Sequence, residues 1–188
     1  VSVPVNTLHR KKHGIEMVAD LGTFSPLRTS LIVDGIWLYV REKNTALNGI
    51  WPIQYRDKTE YPYVGFYDKQ GGPGNESRSE IISTNFRFIT RIPRIGLVTT
   101  LTWQMIWLYK YRTLYNGSTG ENVWPLYWCG TDGIIHSFTE TQKEDPAFAP
   151  LLSTTAPERF LPNSYKPYGM LNIRVNKAFG EHITLAFF

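Results

Sequence analysis

Ile95-Gly96-Leu97-Val98-Thr99-Thr100-Leu101-Thr102-Trp103-Gln104-Met105-Ile106-Trp107-Leu108-Tyr109-Lys110-Tyr111-Arg112 alternates with a period of two from end to end. The odd positions are Ile95, Leu97, Thr99, Leu101, Trp103, Met105, Trp107, Tyr109 and Tyr111, and eight of these nine are apolar or aromatic. Among the even positions only Val98, Ile106 and Leu108 are large and apolar. A period of two is the signature of a β-strand with one greasy face. Its length is unusual, because strands in soluble domains average about 5–6 residues.

The same pattern recurs on both sides. Ile82, Thr84, Phe86, Phe88 and Ile92 oppose Ser83, Asn85, Arg87 and Arg91, with Ile89 interrupting. Leu27, Leu31, Val33, Trp37 and Tyr39 oppose Arg28, Ser30 and Asp34 more loosely. Ile15, Met17, Ala19 and Leu21 alternate with Glu16 and Asp20, and Leu171, Ile173 and Val175 with Asn172, Arg174 and Asn176. Ile183, Leu185 and Phe187 close the chain. Six strands are therefore expected, at about 14–22, 27–42, 79–92, 95–113, 168–178 and 182–188. The expected fold class is all-β, with antiparallel up-and-down strands.

The connections alternate short and long. Gly22-Thr23-Phe24-Ser25-Pro26, Ile92-Pro93-Arg94 and Phe179-Gly180-Glu181 read as tight turns, and Pro93 cannot donate to a ladder. Between them lie two long loops, 43–78 and 114–167, rich in turn formers such as Gly71-Gly72-Pro73-Gly74-Asn75 and Asn116-Gly117-Ser118-Thr119-Gly120. This order collects all the short turns at one end of an antiparallel sheet. Outer-membrane barrels have that asymmetry. At ~3.3 Å per residue and ~45° tilt, 16 residues rise about 37 Å, enough to cross a hydrocarbon core of about 30 Å. Trp107, Tyr109 and Tyr111 follow one another at the long-loop end of their strand, and Trp37 and Tyr39 hold the matching place on theirs. Such rings suit the headgroup boundary. A soluble β-sandwich also gives each strand one apolar face, so periodicity leaves both architectures open.

Composition narrows the classes. The chain has 188 residues, 42% hydrophobic and 19% charged, which excludes a disordered polypeptide. A single cysteine, Cys129, excludes an intramolecular disulfide framework and a multi-cysteine zinc site. A net charge of +4 without an evident patch gives no argument for nucleic acid. No apolar run approaches the ~18 residues of a transmembrane helix. The chain begins at Val1 without a methionine or signal-peptide pattern.

Several stretches together resemble a known family. They are Gly14-Ile15-Glu16, Leu27-Arg28-Thr29-Ser30-Leu31 leading to Asp34-Gly35, and Ser83-Thr84-Asn85-Phe86-Arg87-Phe88-Ile89-Thr90-Arg91-Ile92-Pro93. Leu171-Asn172-Ile173-Arg174-Val175-Asn176-Lys177-Ala178-Phe179-Gly180 with Ile183-Thr184-Leu185 completes the set. The chain resembles the C-terminal barrel region of TonB-dependent outer-membrane transporters of the Bacteroidetes type. The likeness covers less than half the chain, and the two long loops have no part in it. It implies a transmembrane barrel of about 22 strands plugged by an N-terminal domain. Six strands cannot close such a barrel, and open edges are not tolerated in lipid, so the chain is expected to be a fragment or part of a longer polypeptide. The implied function is receptor and transporter: binding and importing a siderophore, a cobalamin or an oligosaccharide, without covalent chemistry and without a cofactor. The implied partners are outer-membrane lipid, the rest of the barrel and its plug, TonB through a missing N-terminal region, and the small-molecule or oligosaccharide ligand.

Candidate ligand-binding residues on the polar, lumen-side face are Glu16, Asp34, Asn85, Arg87, Gln104, Asn172 and Arg174. Loop candidates are Trp51, Tyr55, Trp124, Tyr127 and Trp128, whose rings suit stacking on a sugar or a planar ligand. Other constellations carry less. Cys129 and His136 lack a third orienting group. His9 and His13 flank Arg10, Lys11 and Lys12, which repel a cation, and read as a solvated basic turn or loop. Gly71-Gly72-Pro73-Gly74-Asn75 lacks the Lys-Ser/Thr of a phosphate loop and reads as a flexible tip. Asn75-Glu76-Ser77 and Asn116-Gly117-Ser118 are glycosylation sequons by pattern alone. Two rival functions remain: a soluble or surface β-sandwich carbohydrate-binding module, and a β-rich hydrolase using Glu140, Glu144 and Asp145.

Overall fold

The computed structural model describes residues 6–52, 61–68, 74–180 and 183–188. The chain is all-β. Its strands are β1 Leu8–Phe24, β2 Thr29–Asn44, β3 Asn48–Ile50, β4 Val64–Tyr67, β5 Glu76–Ile92, β6 Leu97–Leu114, β7 Asn122–Val123, β8 Tyr127–Cys129, β9 Ile135–Ser137, β10 Ser153–Thr154, β11 Asn163–Tyr165, β12 Tyr168–Phe179 and β13 Ile183–Phe187. The largest sheet runs β1-β2-β5-β6-β12-β13, with β11 also pairing with β6. Among the described residues it does not close, and β1 and β13 are its edges. A four-stranded sheet runs β3-β4-β8-β9, and β7 pairs with β10. No helix among the described residues is long and apolar enough to cross a membrane, which says nothing of a β-barrel.

Each of the six long or terminal strands expected from alternation has a counterpart. The first departs most, since β1 starts at Leu8 and carries His9 to His13 within a strand, not in a turn or loop. Its turn also falls later than expected. Leu27 and Arg28 donate their amides to Phe24 and Ser25 carbonyls, so the reversal occupies 25–28. Arg28 takes the positive φ of 50° that the reversal needs. The second turn is a 3-10 segment, Pro93–Ile95, ended by Gly96 at φ 61°.

The chain divides into two compact units. One comprises Lys12–Tyr39, Ser79–Lys110 and Ser164–Phe188. Its sheet separates two faces. β6 and β12 align Leu101 with Ile173 and Trp103 with Leu171 on one side, and Thr100 with Arg174 and Thr102 with Asn172 on the other. β13 adds Phe187 opposite Val175 and Ile183 opposite Phe179 to the first side. Phe86 stacks on Trp103 at 5.3 Å, and Phe88, Leu101, Met105 and Leu171 line a shallow apolar hollow beside it. Gly169 makes this close approach possible, since a Cβ there would stand 3.0 Å from the Gln104 carbonyl and 3.1 Å from Trp103 Nε1. At the far end of the same side, Trp37 Nε1 donates to Glu80 (2.8 Å) and Trp107 Nε1 to Thr84 Oγ1 (2.8 Å), while Tyr109 stacks on Tyr165. No described residue of this unit is fully buried. Ile173, Met170, Leu171 and Phe187 stand more than half exposed.

The other unit comprises Val1–Lys11, Val40–Arg78 and Tyr111–Asn163, the stretches expected as long loops together with the strand ends that flank them. Instead of open loops it holds the buried side chains of the described residues, among them Tyr67, Leu114, Val123, Phe148, Leu151, Phe160, Asp68, Asn75 and Glu76. Apolar burial is the driving force, and these residues come together from three separated stretches. Tyr67 donates its hydroxyl to the Leu151 carbonyl, and Arg112 Nε donates to the Phe160 carbonyl at 2.8 Å. A one-turn helix, Glu140–Glu144, starts with a capping box between Thr139 and Gln142.

Candidate functional site

Strand alternation sets the site on the polar side of the long-stranded sheet. A Cβ on Gly14 would stand 3.3 Å from Leu38 Cδ1, so even positions of β1 and β2 share a face. That puts Glu16, exposed on β1, on the same side as Asp34. Asp34 then meets β5. Asn85 Nδ2 donates to Asp34 Oδ2 at 2.5 Å, and Arg87 Nη2 lies 3.6 Å from Asp34 Oδ1. Asn85 continues the row toward β6 and β12. With Ser83, Gln104, Ile106, Tyr168 and Met170 it lines a hollow of about 220 Å³. Asn172 and Arg174 stand two and four residues beyond Met170 on the same face, and Arg174 Nε donates to Asn176 Oδ1 at 3.2 Å.

All seven expected polar-face residues thus occupy one side of one sheet. Asp34, Asn85 and Arg87 form a bonded cluster, Asn85 and Gln104 share the hollow, and Glu16, Asn172 and Arg174 stand apart from both. The hollow offers amide donors and acceptors, a serine hydroxyl and one phenol ring. Beside the apolar Ile106 and Met170, these groups can exchange hydrogen bonds with a neutral hydroxyl- or amide-bearing molecule. The hollow holds no nucleophile–base pair. Among the described residues no three His, Cys, Asp or Glu side chains are grouped to hold a metal ion.

The loop candidates separate from one another. Trp51 is exposed, and Tyr55 lies outside the described residues. Tyr127 and Trp128 are neighbours on β8 and point to opposite sides. Trp128 turns inward. It packs on His136 (4.6 Å), Phe148 (4.9 Å) and Tyr63 (5.3 Å), and its buried Nε1 has no hydrogen-bond partner. Trp124 stacks on Phe138 at 5.4 Å, and Tyr127 remains exposed. Below the inward ring, His136 Nε2 bonds Asp132 Oδ2 at 2.8 Å. That bond, with the Ile134 amide, holds the exposed Asp132 carboxyl below the usual range.

A buried polar cluster escaped the sequence. Glu76 has no exposed side chain and accepts from Arg41 Nη2 (2.6 Å) and Arg78 Nε (2.7 Å). Burial alone would raise its carboxyl, but the two guanidinium groups override that and hold it below 4.5. Asn75 donates to Asp68 Oδ2 (2.5 Å) and Asn116 Oδ1 (3.0 Å), and its own Oδ1 accepts from the Asn116 amide (2.9 Å). Asn75 is 2% exposed, so it is neither a flexible tip nor an open glycosylation site. Its setting after three glycines and a proline disguised it. The cluster is a structural clamp, since the Asn75 amide and both Glu76 carboxylate oxygens are taken up by protein partners, although Asp68 Oδ1 is buried without one among the described residues.

Comparison with protein-family models, with curated proteins and with solved structures found no match.

Proposed function

We propose that the long-stranded unit is a section of wall from an outer-membrane β-barrel receptor of the TonB-dependent kind. Its apolar side faces lipid and its polar side faces the lumen. The protein then binds a scarce nutrient and passes it across the bacterial outer membrane. One observation carries the reading: strands of 16–18 residues form a sheet in which the large apolar side chains of β5, β6 and β12 gather on one face, and among the described residues that face stays partly exposed. Lipid satisfies such a face without a protein layer. The tryptophans and tyrosines at one end of it support a headgroup boundary there. The open edges β1 and β13 call for further strands, because lipid does not hydrate ladder groups. In this reading those strands belong to the rest of the same barrel, which also holds the plug and reaches TonB. The family resemblance of the strand-and-turn stretches supplies the transport mode.

Siderophore, cobalamin and oligosaccharide all fit the mode, and the neutral hydrogen-bonding hollow at Asn85 and Gln104 favours a ligand rich in hydroxyl or amide groups. The test is fractionation of source cells with an antibody to this chain, followed by uptake assays on Asn85→Ala and Gln104→Ala variants. The reading predicts outer-membrane signal and reduced uptake at unchanged protein level. Signal confined to the soluble fraction would overturn it in favour of a soluble binding module.

A further inference from the structure

The short-turn end of the long-stranded unit gathers cations. Arg28 closes the first turn, and the Arg91 amide donates to its carbonyl at 3.1 Å, so the two arginines sit on paired backbones. Arg94 follows in the Pro93–Ile95 turn, and Lys177 Nζ donates to the Ile95 carbonyl. The four residues form an unbroken series across the ends of β2, β5 and β12. Among the described residues none of the four forms an ion pair. The acid facing them from β1, Asp20, is engaged by the Gly22 amide at 2.9 Å, and Glu181 lies outside the described residues. Interleaved with the cations are exposed apolar side chains: Phe24 (63%), Leu27 (70%), Ile95 (51%) and Phe179 (51%). Lys177 Nζ also lies 5.1 Å from the centre of the Phe179 ring.

We infer that this turn end is a docking surface for the anionic phospholipid headgroup layer, with Arg28, Arg91, Arg94 and Lys177 on phosphates and the interleaved apolar side chains in the acyl boundary. The inference rests on the lipid-facing reading above and adds which lipid the turn end selects. Charge complementarity commits it to phospholipid. Free phosphate would leave the apolar side chains without an occupant, and a nucleic acid could stack on the Phe24 and Phe179 rings but would leave the aliphatic Leu27 and Ile95 without one.

The experiment mixes the 188-residue chain with two preformed vesicle types, one of phosphatidylcholine alone and one containing phosphatidylglycerol at roughly 30%, both with brominated acyl chains. Flotation reads binding, and tryptophan quenching reads insertion of the apolar face. The comparison variant carries Arg28→Gln, Arg91→Gln, Arg94→Gln and Lys177→Gln. Removing each cation is expected to weaken the preference for anionic vesicles about fivefold, and the quadruple variant should lose it. For the native chain, salt at about 0.5 M should abolish the preference, a readout free of any folding defect in the variant. Equal quenching and equal flotation on both vesicle types would overturn the headgroup inference and leave the lipid-facing reading standing. Absence of flotation on both vesicle types would overturn the headgroup inference, while the lipid-facing reading is decided separately by the cell fractionation above. A preference that survives in the quadruple variant, or tighter binding to an oligonucleotide than to the anionic vesicles, would overturn the inference alone.

Discussion

Glu76 and Arg41 form an ion pair in which only the cation is wet: Oε2 lies 2.6 Å from Nη2, the glutamate side chain is wholly buried, and that of Arg41 is 44% exposed. The asymmetry decides which partner matters more. Glu76→Gln leaves two arginines that can rehydrate, so its cost is about 1–3 kcal/mol. Arg41→Ala together with Arg78→Ala strands a buried anion and costs more, about 3–5 kcal/mol. Urea unfolding followed by near-UV circular dichroism checks the order. A glutamate variant as damaging as the double arginine variant would refute it.

The same carboxylate makes the fold acid-sensitive. Its folded pKa lies below the unfolded 4.5, so the unfolded chain binds the extra proton. Stability is then fully present above about pH 4.5 and falls as the pH drops through the depressed value. Urea midpoints measured from neutral to strongly acidic pH should decline in this window, and Glu76→Gln should flatten the decline. An unchanged slope in the variant would assign the acid sensitivity elsewhere.

Alkaline titration gives an independent reading of the compact unit. Burial raises the Tyr67 and Tyr115 phenols above their ordinary 10.0, and Tyr61 and Asp68 respectively add to the rise. A raised pKa favours the neutral phenol in the fold, so this stability is present below pH 10 and is lost as the pH climbs beyond it. Ultraviolet titration should therefore find the Tyr67 and Tyr115 phenols unionised until the unit opens. Tyr67→Phe should remove one late phenol and, through the lost bond to Leu151, about 1 kcal/mol. Ionisation of all tyrosines near pH 10 in the folded chain would contradict the burial.

Gly96 and Gly22 separate steric contact from backbone strain. Both hold positive φ, 61° and 76°. A Cβ on Gly96 would stand 2.9 Å from the Ala178 carbonyl, whereas nothing lies within 4 Å of one on Gly22. Both alanine variants carry the left-handed penalty of about 1 kcal/mol. Only Gly96→Ala must also push β12 aside, and it should open the Ala178 amide, bonded to Gly96 O at 2.8 Å, to faster hydrogen exchange. Equal exchange at Ala178 in the two variants would count against the contact.

The long strands were legible because alternation sustained over many residues has one physical cause. Thr102, Gln104, Asn172 and Arg174 could be assigned to one face from their positions alone, and β6 and β12 pair them accordingly. The short strands were not legible. Val64–Tyr67 pairs with Tyr127–Cys129, partners too distant and too brief to leave a local period. For the same reason Tyr127 and Trp128 read alike, although one points to solvent and the other into an aromatic cluster. Asn75 and Glu76 are surface residue types by any propensity, and only the arrival of Arg41, Asp68 and Asn116 makes their burial tolerable.

Tyr67 finds its carbonyl partner on Leu151, 84 residues later. A ribosome adding about 5–20 residues per second takes on the order of 4–17 s to deliver that partner. Until then Tyr67, Leu114 and Val123 have no Leu151 or Phe160 to close over them. The growing chain must therefore be kept from sticking to itself or to its neighbours. Excising residues 114–167 would remove five of the six large apolar side chains buried in this core, which makes point substitutions the cleaner probe of this part of the chain.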